Sequence, residues 1–270
     1  MDINLSIVIV NWNTAKITKD CISSIYKHIK KINFEVIVVD NASTDNSINT
    51  IKHIQNKHSK LILIKNNHNL GFSKANNIGA KQARGQYLFF LNSDTLILDN
   101  SIIKTMSFLN SKPQIGILAP QLLNADKSKQ ASVFPPQTIK NAIKQFYLDQ
   151  NNTFTKYTPI KSQTVNAVSG AALLIAKKDF INIGGWNEKY FFYYEDLDLC
   201  RKIHRIHKQI YYYQDSKIIH LHGQSGKNTG KSQQWKRLIP SSIVYHGFIK
   251  HYLLFIIIWL SQKIKKLRNQ

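Results

Sequence analysis

The first 120 residues alternate short runs of β-branched and aromatic residues with stretches of helical periodicity. No other feature narrows the possible folds as far. "SIVIVNW" (Ser6–Trp12) predicts a strand, and Thr14–Lys30 a helix with Ile17, Cys21, Ile25 and Ile29 on one face. "FEVIVVD" (Phe34–Asp40) predicts a second strand, followed by "NASTDNS", a polar turn able to cap a helix. "LILIK" (Leu61–Lys65), "QYLFFLN" (Gln86–Asn92) and "IGILAP" (Ile115–Pro120) complete five strands, with a loop and a helix ending near Ala83 between the third and fourth. Such apolar strands separated by helices predict an α/β fold, a mostly parallel sheet covered on both faces. Ligands bind such sheets beyond the carboxyl ends of the strands. That rule selects Asn11, Asn13, Asp40 and Asn92–Asp94. From Ala125 to Thr164 the pattern dissolves, and Val165–Lys178 restores an apolar run.

The chain's 270 residues suit one large domain or a domain with an appendage. Cys21 and Cys200 lack zinc or redox spacing and cannot form a disulfide framework, which points to a reducing compartment. The opening "MDINLSIVIVNW" lacks a basic leader and reads as the first strand. No apolar run approaches the ~20 residues that span a bilayer; the longest is Tyr252–Leu260. A cytoplasmic protein, or one attached to a membrane without crossing it, is expected. The net charge of +22 is uneven: from Arg201 onward there are 14 Lys/Arg and one acid, Asp215. So basic an end suits nucleic acid, anionic lipid or a phosphorylated substrate.

Several residues could carry chemistry. Asp40 ends a buried strand, where a carboxylate can accept from a ribose hydroxyl or base N–H, or close an Asx turn. No G-x-G-x-x-G follows the first strand, so the usual dinucleotide turn is absent. In "LNSDT", Asp94 is a hard oxygen ligand suited to Mg²⁺ or Mn²⁺ on a diphosphate, or part of an ordinary polar turn. His220 and His222 share a face if "KIIHLH" is a strand, as metal ligands or as packing. The densest signal is "FFYYEDLDLC", with Glu195, Asp196 and Asp198 directly behind four rings in a chain of only 15 acids. A helix N-terminus stabilises acids and accounts for two of them. It does not account for the preceding "GGWNEKYFFYY". A carboxylate beside aromatic rings is desolvated and more basic, as a general base requires.

In order along Asn4 to Gly226, "SIVIVNWNT", "EVIVVDNASTDNS", "NNHNLGFSKANNIG", "YLFFLNSDT", "VSGAALLI", "GGWNEKYFFYYEDLDLCRK" and "HLHGQSG" resemble the inverting family 2 glycosyltransferases, particularly their rhamnosyltransferase-like bacterial branch. The resemblance implies a GT-A fold over 1–226, with a nucleotide-sugar half (1–120) merging into an acceptor half (121–226). It implies that Asn11, Asn13, Asp40, Asn69, Gly71, Asn92 and Ser93 surround the nucleotide sugar. Asp94 and His220 would hold a divalent ion, and His222 stands where the pattern often has a small residue. Asp196 matches the catalytic base, with Glu195 in support, and Trp186, Tyr194 and Gly170 form the sugar or acceptor wall. Asn92 replaces the first acid of the family's D-x-D motif, so the donor's diphosphate must supply more of the ion's ligands.

The implied reaction is direct transfer from a nucleoside-diphosphate sugar, dTDP-rhamnose first and a UDP-hexose next, to a glycan or lipid-linked saccharide of a bacterial surface polysaccharide such as O-antigen. Residues 227–270 form a basic, apolar helical end. Within it, 248–268 suit a peripheral contact with the cytoplasmic face of the inner membrane, or equally a packed helix or a homodimer. Two other classes compete. A sugar-phosphate nucleotidyltransferase would share the sheet and ion but wants a Gly/Lys-rich phosphate loop. A basic nucleic-acid-binding protein would have no need of Asp40, Asp94 and Asp196, so no nucleic-acid partner is expected.

Overall fold

The computed structural model describes residues 3–221 and 231–268. A central sheet runs in the order β3 (Leu61–Lys65), β2 (Phe34–Asp40), β1 (Leu5–Asn11), β4 (Tyr87–Asn92), β10 (Ala172–Ala176), β6 (Ile115–Leu123), β11 (Gln209–His220), β5 (Thr95–Ile97). β8 (Gln163–Val165) pairs with β11. The first four positions are mutually parallel, β10 enters antiparallel between β4 and β6, and β11 runs parallel to β6. A two-stranded ribbon joins β7 (Val133–Phe134) to β9 (Ala167–Val168).

The sheet is buried on both faces, so its central strands carry continuous apolar runs rather than alternating ones. Period 2 instead divides them between two cores. Ile7, Ile9, Val36, Val38, Phe89 and Leu91 enter one core with Cys21, Ile22 and Ile25 of α1 (Ala15–His28), Ile51 and Ile54 of α2 (Ser47–Gln55), and Ile102 and Leu109 of α4 (Ser101–Asn110). Val8, Ile37, Val39, Leu88 and Phe90 enter the other. There they meet Ala75 and Ala80 of α3 (Phe72–Gln82), Phe180 of α6 (Lys177–Asn182), and Leu197, Cys200 and Ile203 of α7 (Glu195–Arg205). α7 also follows its dipole, with three acids in its first turn and Lys202, His204 and Arg205 in its last.

The region without sequence pattern folds as β7, an amphipathic α5 (Ile139–Tyr147) capped by Thr138, and loops. Beyond the sheet come α8 (Lys231–His246) and α9 (Phe248–Arg268), joined at Gly247. The domain limits predicted at 226 and 227 lie outside the described residues. Among the described residues, no helix is long and apolar enough to cross a membrane.

One buried charge ties the opposite end of the sheet together. Glu35, fully buried, accepts from Ser6 Oγ (2.7 Å), Arg84 N (2.6 Å) and the Arg84 guanidinium (2.8 and 2.9 Å). Glu35→Ala strands these donors and should lower unfolding free energy by roughly 1–3 kcal/mol, read by urea denaturation, without touching the carboxyl end of the sheet.

Candidate active site

β1, β2 and β4 end in register, Asn11 opposite Asp40 and Val10 opposite Asn92, so their terminal side chains meet at one edge. β11 ends beside them: His220 pairs with Thr95, and Leu221 N donates to Asp94 O (2.8 Å). A cavity of about 690 Å³ opens above this edge, and its other wall is the segment entering α7.

Ten of the residues predicted for the site line this cavity: Asn69, Gly71, Asn92, Ser93, Asp94, Gly170, Tyr194, Glu195, Asp196 and His220. Four do not. Asn11 is fully buried and saturated; its Oδ1 accepts from Thr14 and Thr18 (2.8 and 2.6 Å), and its Nδ2 donates to Asp40 Oδ1 (2.7 Å) and Ser43 Oγ (3.0 Å). Asp40, equally buried, accepts that bond and one from Ser43 N (2.9 Å). Asn13, with φ of 54°, accepts from Thr44 N (2.7 Å). These three bind the β1 and β2 loops to each other, which places them behind the donor wall rather than in it. Trp186 is not wall either: it is 1% exposed, packed edge-on against Phe72 and Phe90.

Asn41, next in the chain to Asp40, takes the outward position. Its Nδ2 donates to Asn69 Oδ1 (3.0 Å) and Gly71 O (3.2 Å), and its Oδ1 accepts from Asn66 (2.9 Å). Gly71 starts α3 at φ 82°, where a Cβ would stand 2.6 Å from the Phe191 carbonyl oxygen. Phe72 N donates to that same oxygen (2.8 Å), so the donor loop and the aromatic segment meet backbone to backbone.

At the centre lie Asp94 and His220. Gln130 fixes the imidazole: its Nε2 donates to His220 O (3.0 Å) and Asn124 Oδ1 (2.8 Å), which turns its Oε1 onto His220 Nδ1 (2.7 Å). In the neutral imidazole Nδ1 then carries the proton and Nε2 presents a lone pair. Nε2 lies 3.3 Å from Asp94 Oδ1 and 3.4 Å from Asn92 Nδ2. Asp94 Oδ1 is buried without a hydrogen-bond partner among the described residues. Two electron-rich atoms facing each other with no proton between them fit a shared divalent cation, whose ligands at about 2.1 Å stand about 3 Å apart. No group of three His, Cys, Asp or Glu side chains gathers among the described residues, so an ion here would need ligands of another kind besides Asp94 and His220.

Tyr193 and Tyr194 both take positive φ (76° and 67°), which turns the chain sharply into α7. The three acids that follow divide. Asp198 faces away, bonded to Arg201 and to Tyr190 OH (3.5 Å). Glu195 and Asp196 face the cavity. Asp196, half-buried, accepts from Gly170 N (3.2 Å) and Leu197 N (2.9 Å). Burial raises its pKa, opposed by Lys156 and these amides. Glu195 is 7% exposed, with Oε2 unpartnered among the described residues. Burial first, and then the Asp196 charge, push it up to about 8. Near neutrality Glu195 therefore keeps its proton beside Asp196.

Sequence reasoning missed Trp12, Gln130, Phe134, Lys156 and Arg237 in the cavity wall. Trp12 and Asn41 adjoin the strand-end residues and were within reach of the carboxyl-end rule. Gln130, Phe134 and Lys156 lie in the stretch without periodicity. Arg237 lies on α8, 5.8 and 5.0 Å from the ring centres of Trp12 and Phe191. The predicted boundary would have set it apart from the site. His222 lies outside the described residues.

The family model described as Glycosyl transferase family 2 matches residues 6–167. An uncharacterized glycosyltransferase of Methanocaldococcus jannaschii is 26% identical over 65% of this chain and 62% of its own length. Rhamnosyltransferase WbbL of Escherichia coli K12 is 26% identical over 61% of this chain and 66% of its own. A mannosyltransferase from Pyrobaculum calidifontis, solved with GDP-Man and Mn²⁺, superposes with a TM-score of 0.64 at 15% identity, over 91% of this chain and 64% of that one. That likeness shows the fold, which is GT-A. This chain thus spans less than two thirds of each of these proteins.

A carboxyl whose folded pKa is raised stabilises the fold fully below its unfolded value and progressively less as pH climbs to the folded one. Between the ordinary value of 4.5 and about 8, Glu195 should make the melting temperature fall with rising pH. Glu195→Gln should flatten that slope, as thermal melts across the window would reveal.

Proposed function

The chain belongs to glycosyl transferase family 2, and on that footing we propose that it transfers a sugar, with inversion, from a nucleoside-diphosphate donor to an acceptor hydroxyl. The observation that carries this reading is the single cavity holding both the Asp94–His220 pair and the Glu195–Asp196 pair. Asn41, Asn69 and the Gly71 turn receive the nucleoside, and Trp12 offers a ring at the same end. Asp94 and His220 would hold Mg²⁺ or Mn²⁺, and the ion when bound would supply charge neutralisation for the leaving group. Arg237, over the Trp12 and Phe191 rings, adds a positive charge to the cavity wall.

Asp196 takes the proton of the acceptor hydroxyl. The oxygen attacks the anomeric carbon, and the bond to the diphosphate breaks on the opposite face, releasing the nucleoside diphosphate. A raised pKa makes Asp196 a stronger base, while the Gly170 and Leu197 amides and Lys156 keep it ionised. Protonated Glu195 keeps a second negative charge from forming beside it. The likeness to a rhamnosyltransferase favours a dTDP-rhamnose donor, then a UDP-hexose, and a surface polysaccharide such as O-antigen as the product. Residues 248–268 would hold the enzyme at the cytoplasmic face of the inner membrane. A nucleotidyl transfer is disfavoured because Asp196 and Glu195 would have no proton to move.

Asp196→Asn keeps shape and removes the base, so transfer from a labelled nucleotide sugar should fall about 10²–10⁴-fold while donor binding by calorimetry stays near wild type. Near-normal turnover would reject the assignment. Gln130→Ala frees the imidazole to change tautomer and should weaken Mn²⁺ binding in the presence of nucleoside diphosphate about 10–100-fold, measurable by Mn²⁺ titration.

A further inference from the structure

The largest feature that transfer chemistry leaves unused is apolar. α9 is covered along one stripe, His251, Leu254 and Ser261. Around much of the rest, Leu253, Ile256, Trp259 and Leu260 stand 42–48% exposed. A helix apolar on nearly every side is normally buried, and a contiguous exposed patch marks an interaction surface. The patch does not end with α9. α5 packs against it, Tyr147 OH donating to Ile257 O (3.0 Å), and exposes Ile143, Tyr147 and Leu148.

Charge selects the occupant. The sequence contains no acid after Asp215, so α8 and α9 carry none. Lys263, Lys265 and Lys266 stand exposed just past the apolar stretch, and Lys140 stands exposed on α5. Asp149, beside Leu148, is the acid nearest the patch in sequence. A second copy of a +22 chain would bring like charge to this face. An anionic lipid surface brings the opposite charge and accepts the apolar side chains and the Trp259 ring.

Both helices that carry α9 start from the cavity wall. Gln137, in that wall, immediately precedes the Thr138 cap of α5. α8 contributes Arg237 and Leu238 to the wall, then leads through Gly247 into α9. Nine residues of α5 cover about 14 Å, so the patch lies roughly one short helix from the Asp196 end. We propose that α5 and α9 together form a dock for an anionic bilayer and that the acceptor is a lipid-linked saccharide presented from it. The acceptor part rests on the glycosyl-transfer reading; the dock stands without it.

The test uses the full chain and flotation with vesicles of phosphatidylcholine, with or without phosphatidylglycerol. Wild type should float with the anionic vesicles and far less with the neutral ones. Ile256→Glu and Leu148→Glu should each reduce the bound fraction about tenfold, with melting temperatures unchanged because both positions are exposed. Absence of flotation overturns the dock, and wild-type flotation of Leu148→Glu removes α5 from it. A dimer by sedimentation velocity that Ile256→Glu dissolves, with no vesicle binding, assigns the face to a second copy instead. For the acceptor, both variants should lose rate on a polyprenyl-linked saccharide in anionic vesicles and keep it on a water-soluble one of the same glycan. Equal loss on both overturns the presentation role. Flotation with no turnover of any nucleotide sugar would sink the transfer reading and leave the dock intact.

Discussion

The site depends on a contact that only glycine permits. At Gly71 the donor loop comes so close to the Phe191 carbonyl that a Cβ would collide with it, and that carbonyl accepts from Phe72 N. Gly170 adds a second tie, its amide donating to Asp196 Oδ2 at 3.2 Å. These two approaches fasten the segment that carries the carboxylates to the edge where β1, β2 and β4 end. Without them the two carboxylates of α7 and the Asp94–His220 pair would belong to separate surfaces.

Burial then divides the charge. Asp94, Glu195 and His220 sit deep, each less than a tenth exposed, while Lys156 stands exposed over the Phe134 ring at 4.7 Å. The outer base attracts anions to the mouth of the cavity, while burial keeps the carboxylates poorly hydrated. Asn92 suits this arrangement. A carboxylate there would put a second anion beside Asp94, whereas an amide can donate toward His220 Nε2 at 3.4 Å.

The sheet was legible in the sequence because a strand covered on both faces is apolar through its middle, and β1, β2 and β4 carry such runs with their polar residues near the ends. The strand-end rule led to cavity-lining residues at Asn92, Ser93 and Asp94. The same rule overreached at Asn11 and Asp40, since composition does not reveal which strand-end polar groups satisfy each other. Asn11 can make four hydrogen bonds, and Thr14, Thr18, Asp40 and Ser43 take all four. Trp186 failed for a related reason. An aromatic run announces a cluster of rings, not which ring faces outward, and Phe72 and Phe90 claim Trp186 for the interior. Gln130 and Lys156 left no trace because loops have no period.

Arg237 was set apart by treating the basic end as an appendage, and the tyrosines explain why it is not one. Two successive non-glycine residues at positive φ cost of order 1–3 kcal/mol each, and something must hold Tyr193 and Tyr194 there. Phe192 packs on Tyr193, Tyr245 and His246 of α8 pack on Tyr194, and Ser241 Oγ of α8 donates to Phe192 O (2.9 Å). Arg201 of α7 closes the circuit, donating to Tyr245 O (3.1 Å) while bonded to Asp198. Asp198, the acid that turns its back on the cavity, thus anchors the arginine that anchors α8. α8 in turn holds the strained turn from which Glu195 and Asp196 project. The acidic cluster is one mechanical unit with two acids toward the substrate and one toward the helix that keeps them there.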